Sequence, residues 1–153
     1  MNEPKILVNL KNYQRKWRID PPSIRSFLAN VWLAIARAGK TQTIDTEVTI
    51  VLLNDQQIEC YNKRYRKKAY PTDVLSFPVN EVLEKRHYLG DILISLQRAA
   101  DQATKAGKSL DQEIRILLLH GVLHLLGYDH ETDTGQMVRL ENRMRRQLGL
   151  PVQ

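Results

Sequence analysis

The sequence predicts an α+β domain in which helices pack on one small mixed β-sheet. Three observations carry that expectation. Strand-like and helix-like segments alternate through the first two thirds of the chain, and two helical patterns then follow one another directly. The first of those two contains IRILLLHGVLHLL, residues 114–126, apolar nearly all round, which marks a central buried helix. With 153 residues the chain suits one domain with its own core, so residues 1–153 are expected to form a single unit.

Four segments read as strands: KILVNL (5–10), EVTIVLLN (47–54), DVLSFPV (73–79) and LGDILISL (89–96), each rich in aliphatic or β-branched residues and bounded by turn formers. The first helix, 21–38, opens on Pro-Pro-Ser and closes before Gly39; the second, 55–66, follows Asn54; the third, 96–106, follows Ser95 and stops at Gly107. The fourth, 110–126, has Ser109 as N-cap with Gln112 three residues on, a capping-box spacing, and Gly127 to end it. The fifth, 133–148, is capped by Thr132 or Asp133 and closed by Gly149 and Pro151. NEVLEKRHY (80–88) reads as a mobile hairpin connection with an exposed, incidental His87. No repeat or low-complexity tract is present.

Composition excludes several classes. Charged residues at 26% and the hydrophobic set at 42% are those of a globular protein rather than a disordered one, and no apolar run approaches transmembrane length. The start, MNEPKILVNL, lacks the basic, apolar, small-residue order of a secretory signal, so a cytoplasmic location is expected, with no membrane partner. The single cysteine, Cys60, has no disulfide partner in the chain and is expected as a small core residue. A net charge of +6 points to polyanionic partners, concentrated in YNKRYRKKAY (61–70), where five of the six positions from Lys63 to Lys68 are basic and tyrosines 61, 65 and 70 flank or interrupt them. That stretch reads either as a nucleic-acid contact, with the tyrosines stacking unpaired bases, or as a solvated helix end.

His120 and His124 stand four residues apart, on one helical face about 40° apart around the axis and about 6 Å along it. That spacing lets two imidazole nitrogens converge on one ion, and Gly127 can adopt the positive φ that returns the chain so that His130 joins them. Three protein ligands leave a fourth position for water, the pattern of catalytic zinc; nickel, copper and iron also accept imidazole. The competing explanation is core histidines hydrogen-bonded to neighbours, and a leucine run offers few such partners. The three histidines and the glycine match the metzincin protease pattern H-E-x-x-H-x-x-G-x-x-H, except that Gly121 stands where those proteases carry their catalytic glutamate. Asp129, Glu131 and Asp133 are nearby carboxylates that could serve as base instead. Asp91, unusual in a strand, reads as a carboxylate orienting a ligand histidine, as a partner of Arg66, or as a turn residue.

Taken together, His120-Gly-Val-Leu-His124-Leu-Leu-Gly127-Tyr128-Asp129-His130, Asn62-Lys-Arg-Tyr65-Arg66 leading into Pro71-Thr72-Asp73-Val74-Leu75-Ser76-Phe77-Pro78, and Leu89-Gly90-Asp91-Ile92 with Ser95 resemble the bacterial YbeY family of rRNA-maturation endoribonucleases. The resemblance covers roughly residues 55–131. It implies a zincin-like α+β fold with the three-histidine helix at its centre. It also implies a zinc-dependent, single-strand-specific endoribonuclease, carrying one zinc per chain, that acts on rRNA of the small ribosomal subunit in 3′-end maturation and quality control. The family's metal ligands carry over to His120, His124 and His130, and its functional arginine to Arg66. Arg66 and His120 thus stand as candidate catalytic residues, and Arg66, Lys63, Arg64 and Lys67 as candidate substrate contacts. Two other functions compete: an RNA-binding ribosome-assembly factor with a structural zinc, and a metallohydrolase of another substrate, which the missing glutamate at Gly121 disfavours.

Overall fold

Alternation along the strands divides the sheet into one face that is wholly covered and one that is not. The computed structural model describes residues 3–41 and 44–153. Its element order is β1 (Ile6–Asn12), α1 (Pro21–Arg37), β2 (Asp45–Leu53), α2 (Asp55–Arg66), β3 (Val74–Leu83), β4 (Arg86–Ser95), α3 (Leu96–Ala106), α4 (Leu110–Leu125) and α5 (Gln136–Gln147). The strands form one sheet in the order β1-β2-β4-β3, with β1–β2 and β2–β4 parallel and β3–β4 antiparallel, which is the mixed sheet expected.

On the covered face Val8, Val48, Ile50, Leu52, Ile92 and Ile94 meet Phe27, Leu28 and Trp32 of α1 and the aliphatic residues of α4 in one core. Leu118, Leu119, Val122 and Leu123 of α4 are fully buried, each worth about 1.5–3 kcal/mol of transfer free energy. The closest approach is at Gly121, where a Cβ would lie 2.8 Å from Cγ2 of Ile92. A side chain there would have to push the Ile92 side chain aside, and a glycine in the leucine run avoids that contact. On the opposite face α2 covers only one end, through a small cluster of Leu53, Ile58, Leu75 and Leu93.

Caps fix the helix starts. Asn54 with Gln57 and Ser109 with Gln112 form reciprocal capping boxes at α2 and α4, and Ser95 accepts from the Arg98 N–H at α3.

The stretch 80–88 forms the hairpin expected: β3 and β4 extend toward each other around a turn at Glu84-Lys85, with Glu84 left-handed (φ 57). The β3 arm, residues 79–83, is exposed on both faces, so no apolar alternation announces it. The structure corrects three local expectations. His87 is half-buried within β4, between its partners Thr46 and Val82, rather than exposed. Cys60 is exposed, because α2 turns only a narrow stripe, Ile58 and Asn62, inward. Finally, α5 starts at Gln136 after Gly135; Asp133 still serves its start, accepting the Gly135 and Met137 N–H groups from just outside.

Candidate metal centre

Helix α4 delivers His120 and His124 from one face, and the chain then reverses. Gly127, at φ +97, ends the helix with its N–H on the His124 carbonyl, and the Tyr128 N–H bonds to the Leu123 carbonyl. Asp129 then accepts the Glu131 N–H on its side chain and the Thr132 and Asp133 N–H groups on its carbonyl, a tight turn that presents His130. Each of the three histidines offers a ring nitrogen, and these atoms lie within 4.8 Å of one another.

The donor set fits a metal ion. Nε2 of His120 and Nε2 of His124 are 3.0 Å apart, close to the roughly 3.3 Å expected for two nitrogens bound tetrahedrally at about 2.0–2.1 Å from zinc. Burial, followed by the neighbouring His120 and His130, lowers the His124 pKa below its usual 6.5, so His124 is a neutral imidazole at pH 7, the form that ligates. On His120 the other ring nitrogen, Nδ1, is 2.7 Å from Oε1 of Glu141 on α5. With Nδ1–H donated to that carboxylate, Nε2 keeps its lone pair directed at the His124 and His130 side.

Glu141 is only 3% exposed, and its second oxygen takes a hydrogen bond of 3.1 Å from the equally buried Arg145, which also donates to the Pro151 carbonyl. Burial pushes the Glu141 carboxyl up, but His120 and Arg145 together outweigh it and hold the pKa below the ordinary glutamate value. The sequence reading missed this residue; its signal was the Glu141–Arg145 pair at i,i+4 in an otherwise basic helix.

The histidines open onto a cavity of about 580 Å³ whose wall includes Arg66, Thr72, Asp73, Ser76, Asp129 and Glu131. Arg66 is brought there as the last residue of α2, before Lys67 takes a left-handed cap (φ 57) and Asn62 Nδ2 pins the following loop through the Tyr70 carbonyl. The other basic candidates are not brought into this wall: Lys63, Arg64 and Lys67 lie exposed around the same helix end. Asp73 serves the turn instead, accepting from Thr72, the Val74 N–H and Gln102. Asp133 is occupied capping α5, and Asp91 touches neither a ligand histidine nor Arg66; it accepts a hydrogen bond from Tyr88 on the open sheet face.

A family model described as "Endoribonuclease YbeY" matches residues 9–149. The chain is 45% identical over 130 residues to a Solibacter usitatus protein of that name, covering 85% of this chain and 80% of the relative. It is 37% identical over 146 residues to one from Carboxydothermus hydrogenoformans, covering 94% and 99%. The solution structure of a Thermotoga maritima protein shares the fold at a TM-score of 0.61 and 21% identity, over 93% of this chain and 89% of that one.

Proposed function

Because the chain belongs to the YbeY endoribonuclease family, we propose that it is a zinc-dependent endoribonuclease cutting single-stranded RNA, with small-subunit rRNA 3′-end maturation and ribosome quality control as its cytoplasmic task. The observation that carries this reading is the juxtaposition of three converging histidines with Arg66 across one open cavity. His120, His124 and His130 would hold one zinc per chain, leaving its remaining position to the cavity. A zinc ion bound there supplies Lewis acidity toward a phosphoryl oxygen and lowers the pKa of a bound water.

The chain's own residues do the rest. Glu141 fixes the His120 tautomer and, through Arg145, ties it to the C-terminal segment. Arg66 is suited to grip a phosphate through two parallel N–H bonds, orienting it and stabilising the charge that builds on its oxygens during cleavage. Lys63, Arg64 and Lys67, exposed on the same helix end, would hold neighbouring phosphates of the strand. Proton removal falls to Asp129 or Glu131, the two carboxylates of the cavity wall that cap no helix and close no strand entrance.

Position 121 carries no carboxylate and presses on the Ile92 side chain, which argues against the protease arrangement. The test is cleavage of single-stranded and base-paired rRNA fragments by the zinc-loaded protein and by His124→Ala. Cutting of the single strands alone, abolished by the substitution, is expected. RNA binding that survives metal removal without any cleavage would support an assembly factor, and metal-dependent turnover of peptides would support a different hydrolase.

A further inference from the structure

The uncovered face of the sheet carries a cavity that the metal centre does not use. Strand alternation puts Lys11, Thr49, Val51, Tyr88 and Asp91 on the side away from α4, beyond the end that α2 covers. Together with α2 and the residues after β1 they enclose about 510 Å³, within the range of roughly 300–1,000 Å³ typical of ligand sites. The lining is unusually aromatic for a surface. Tyr13 and Tyr65 are 56% exposed and Tyr61 39%, so core packing does not account for them, and Phe77 and Tyr88 stand behind them. The Tyr61 and Tyr65 rings lie nearly parallel (13°) with centroids 6.3 Å apart, and Tyr65 meets Phe77 edge-on at 5.2 Å.

We propose that this groove is a second nucleotide-binding surface, on which unpaired bases of the RNA stack as the strand runs away from the metal cavity. The inference rests on the endoribonuclease reading above. Five features favour a single-stranded RNA as occupant. Exposed aromatic faces are what unpaired bases stack on, and a duplex has none to offer.

Positive charge accompanies the groove: Lys11 is part of its wall, and Lys63, Arg64, Lys67 and Lys68 stand exposed around and just beyond the end of α2, the helix that supplies Tyr61 and Tyr65. It is continuous with the proposed cleavage site, since Phe77 belongs to both walls and Arg66 of the metal cavity follows Tyr65 directly. The Arg64 guanidinium, 5.4 Å from the Tyr65 ring, sets a cation beside the stacking surface. The floor is polar but internally satisfied: Tyr88 bonds to Thr49 at 2.6 Å and donates to Asp91, and burial with that carboxylate pushes the Tyr88 hydroxyl up to about 12. The Asp91 carboxylate has a second oxygen beyond the one that accepts from Tyr88, able to meet N–H groups on a base edge.

The test uses the zinc-loaded full chain and two single-stranded oligoribonucleotides, 2′-O-methylated and checked to remain uncut during the measurement, of about four and about twelve nucleotides, the lengths that separate one subsite from an extended strand. Wild type should bind the longer one more tightly. The double variant Tyr61→Ala/Tyr65→Ala should lose about 5- to 150-fold on the long strand, the equivalent of one stacked base, and much less on the short one. Tyr61→Phe/Tyr65→Phe should keep the affinity, because the ring face rather than the hydroxyl is used. Zinc content and the thermal midpoint of both variants should match wild type. Unchanged long-strand affinity in the alanine variant, or an equal loss on both lengths, overturns the groove as a binding surface. A wild type that binds neither strand overturns the endoribonuclease reading, and this inference with it.

Discussion

Replacing Glu141 by Gln keeps the shape of the side chain and removes its charge. In the native protein one carboxylate oxygen accepts from His120 Nδ1 at 2.7 Å and the other from Arg145 at 3.1 Å, with both Glu141 and Arg145 about 4% exposed at the side chain. The glutamine amide has one oxygen and one NH2, so one of the two donors faces another donor. Two separate losses follow. Whichever way the amide turns, Arg145 becomes a buried cation with no counter-charge, and breaking such a pair costs about 3–5 kcal/mol of stability. His120 loses the carboxylate that fixes its tautomer, which for outer partners of metal ligands costs about 10- to 100-fold in metal affinity, or about 1.4–2.8 kcal/mol. Chemical denaturation of the metal-free protein reads the first, and zinc competition against a chelator reads the second. The double variant Glu141→Gln/Arg145→Met separates them: removing the orphaned cation should recover most of the stability while zinc affinity stays weak. Wild-type zinc affinity in both variants would refute the role assigned to Glu141 at the metal centre.

Arg66→Ala should leave zinc content intact, lower kcat/KM on RNA by about 10- to 150-fold, equivalent to a charge-assisted hydrogen bond of about 1.5–3 kcal/mol, and reduce the salt slope of binding by about 0.7; lost zinc would make it structural. Arg66→Lys should rescue only partly, since the paired N–H geometry is gone. Gly121→Ala sets overpacking against Ile92, about 1–3 kcal/mol, against a helix-propensity gain of about 1 kcal/mol, so denaturation should show a loss of up to about 2 kcal/mol where a free helical site would gain. For His124 the folded pKa lies below the usual 6.5, so on acidification the unfolded chain takes the proton first. Stability of the metal-free protein should therefore decline as pH falls from about 6.5, and a denaturant midpoint that rises over that interval would contradict the buried neutral imidazole.

What the sequence made legible was local. The i,i+4 histidines, the positive-φ glycine at 127 and the Ser109–Gln112 capping box are contained within a few residues of each other, and the structure puts them where the periodicities direct. Relations between distant segments were not legible. Glu141 lies 21 residues beyond His120 on another helix, and only the packing of α5 on α4 brings the two together. Asp91 shows the same limit from the other side. Its strand was recognisable, but the register shift between Glu47 and Val48 opposite Tyr88 and Gly90, together with the pairing of Tyr88 to Asp91, decides which sheet face the carboxylate serves. At Gly121 the sequence revealed a missing glutamate, and the close approach of Ile92 supplied the reason.

The central claim is a three-imidazole metal centre with one side left open to the cavity. Zinc K-edge X-ray absorption on the stoichiometrically loaded protein tests it most directly. The account predicts three imidazole nitrogens at about 2.0–2.1 Å and one further oxygen ligand. Sulfur in the first coordination sphere, which only exposed Cys60 or a methionine could provide, or a zinc spectrum without imidazole scattering, would contradict it.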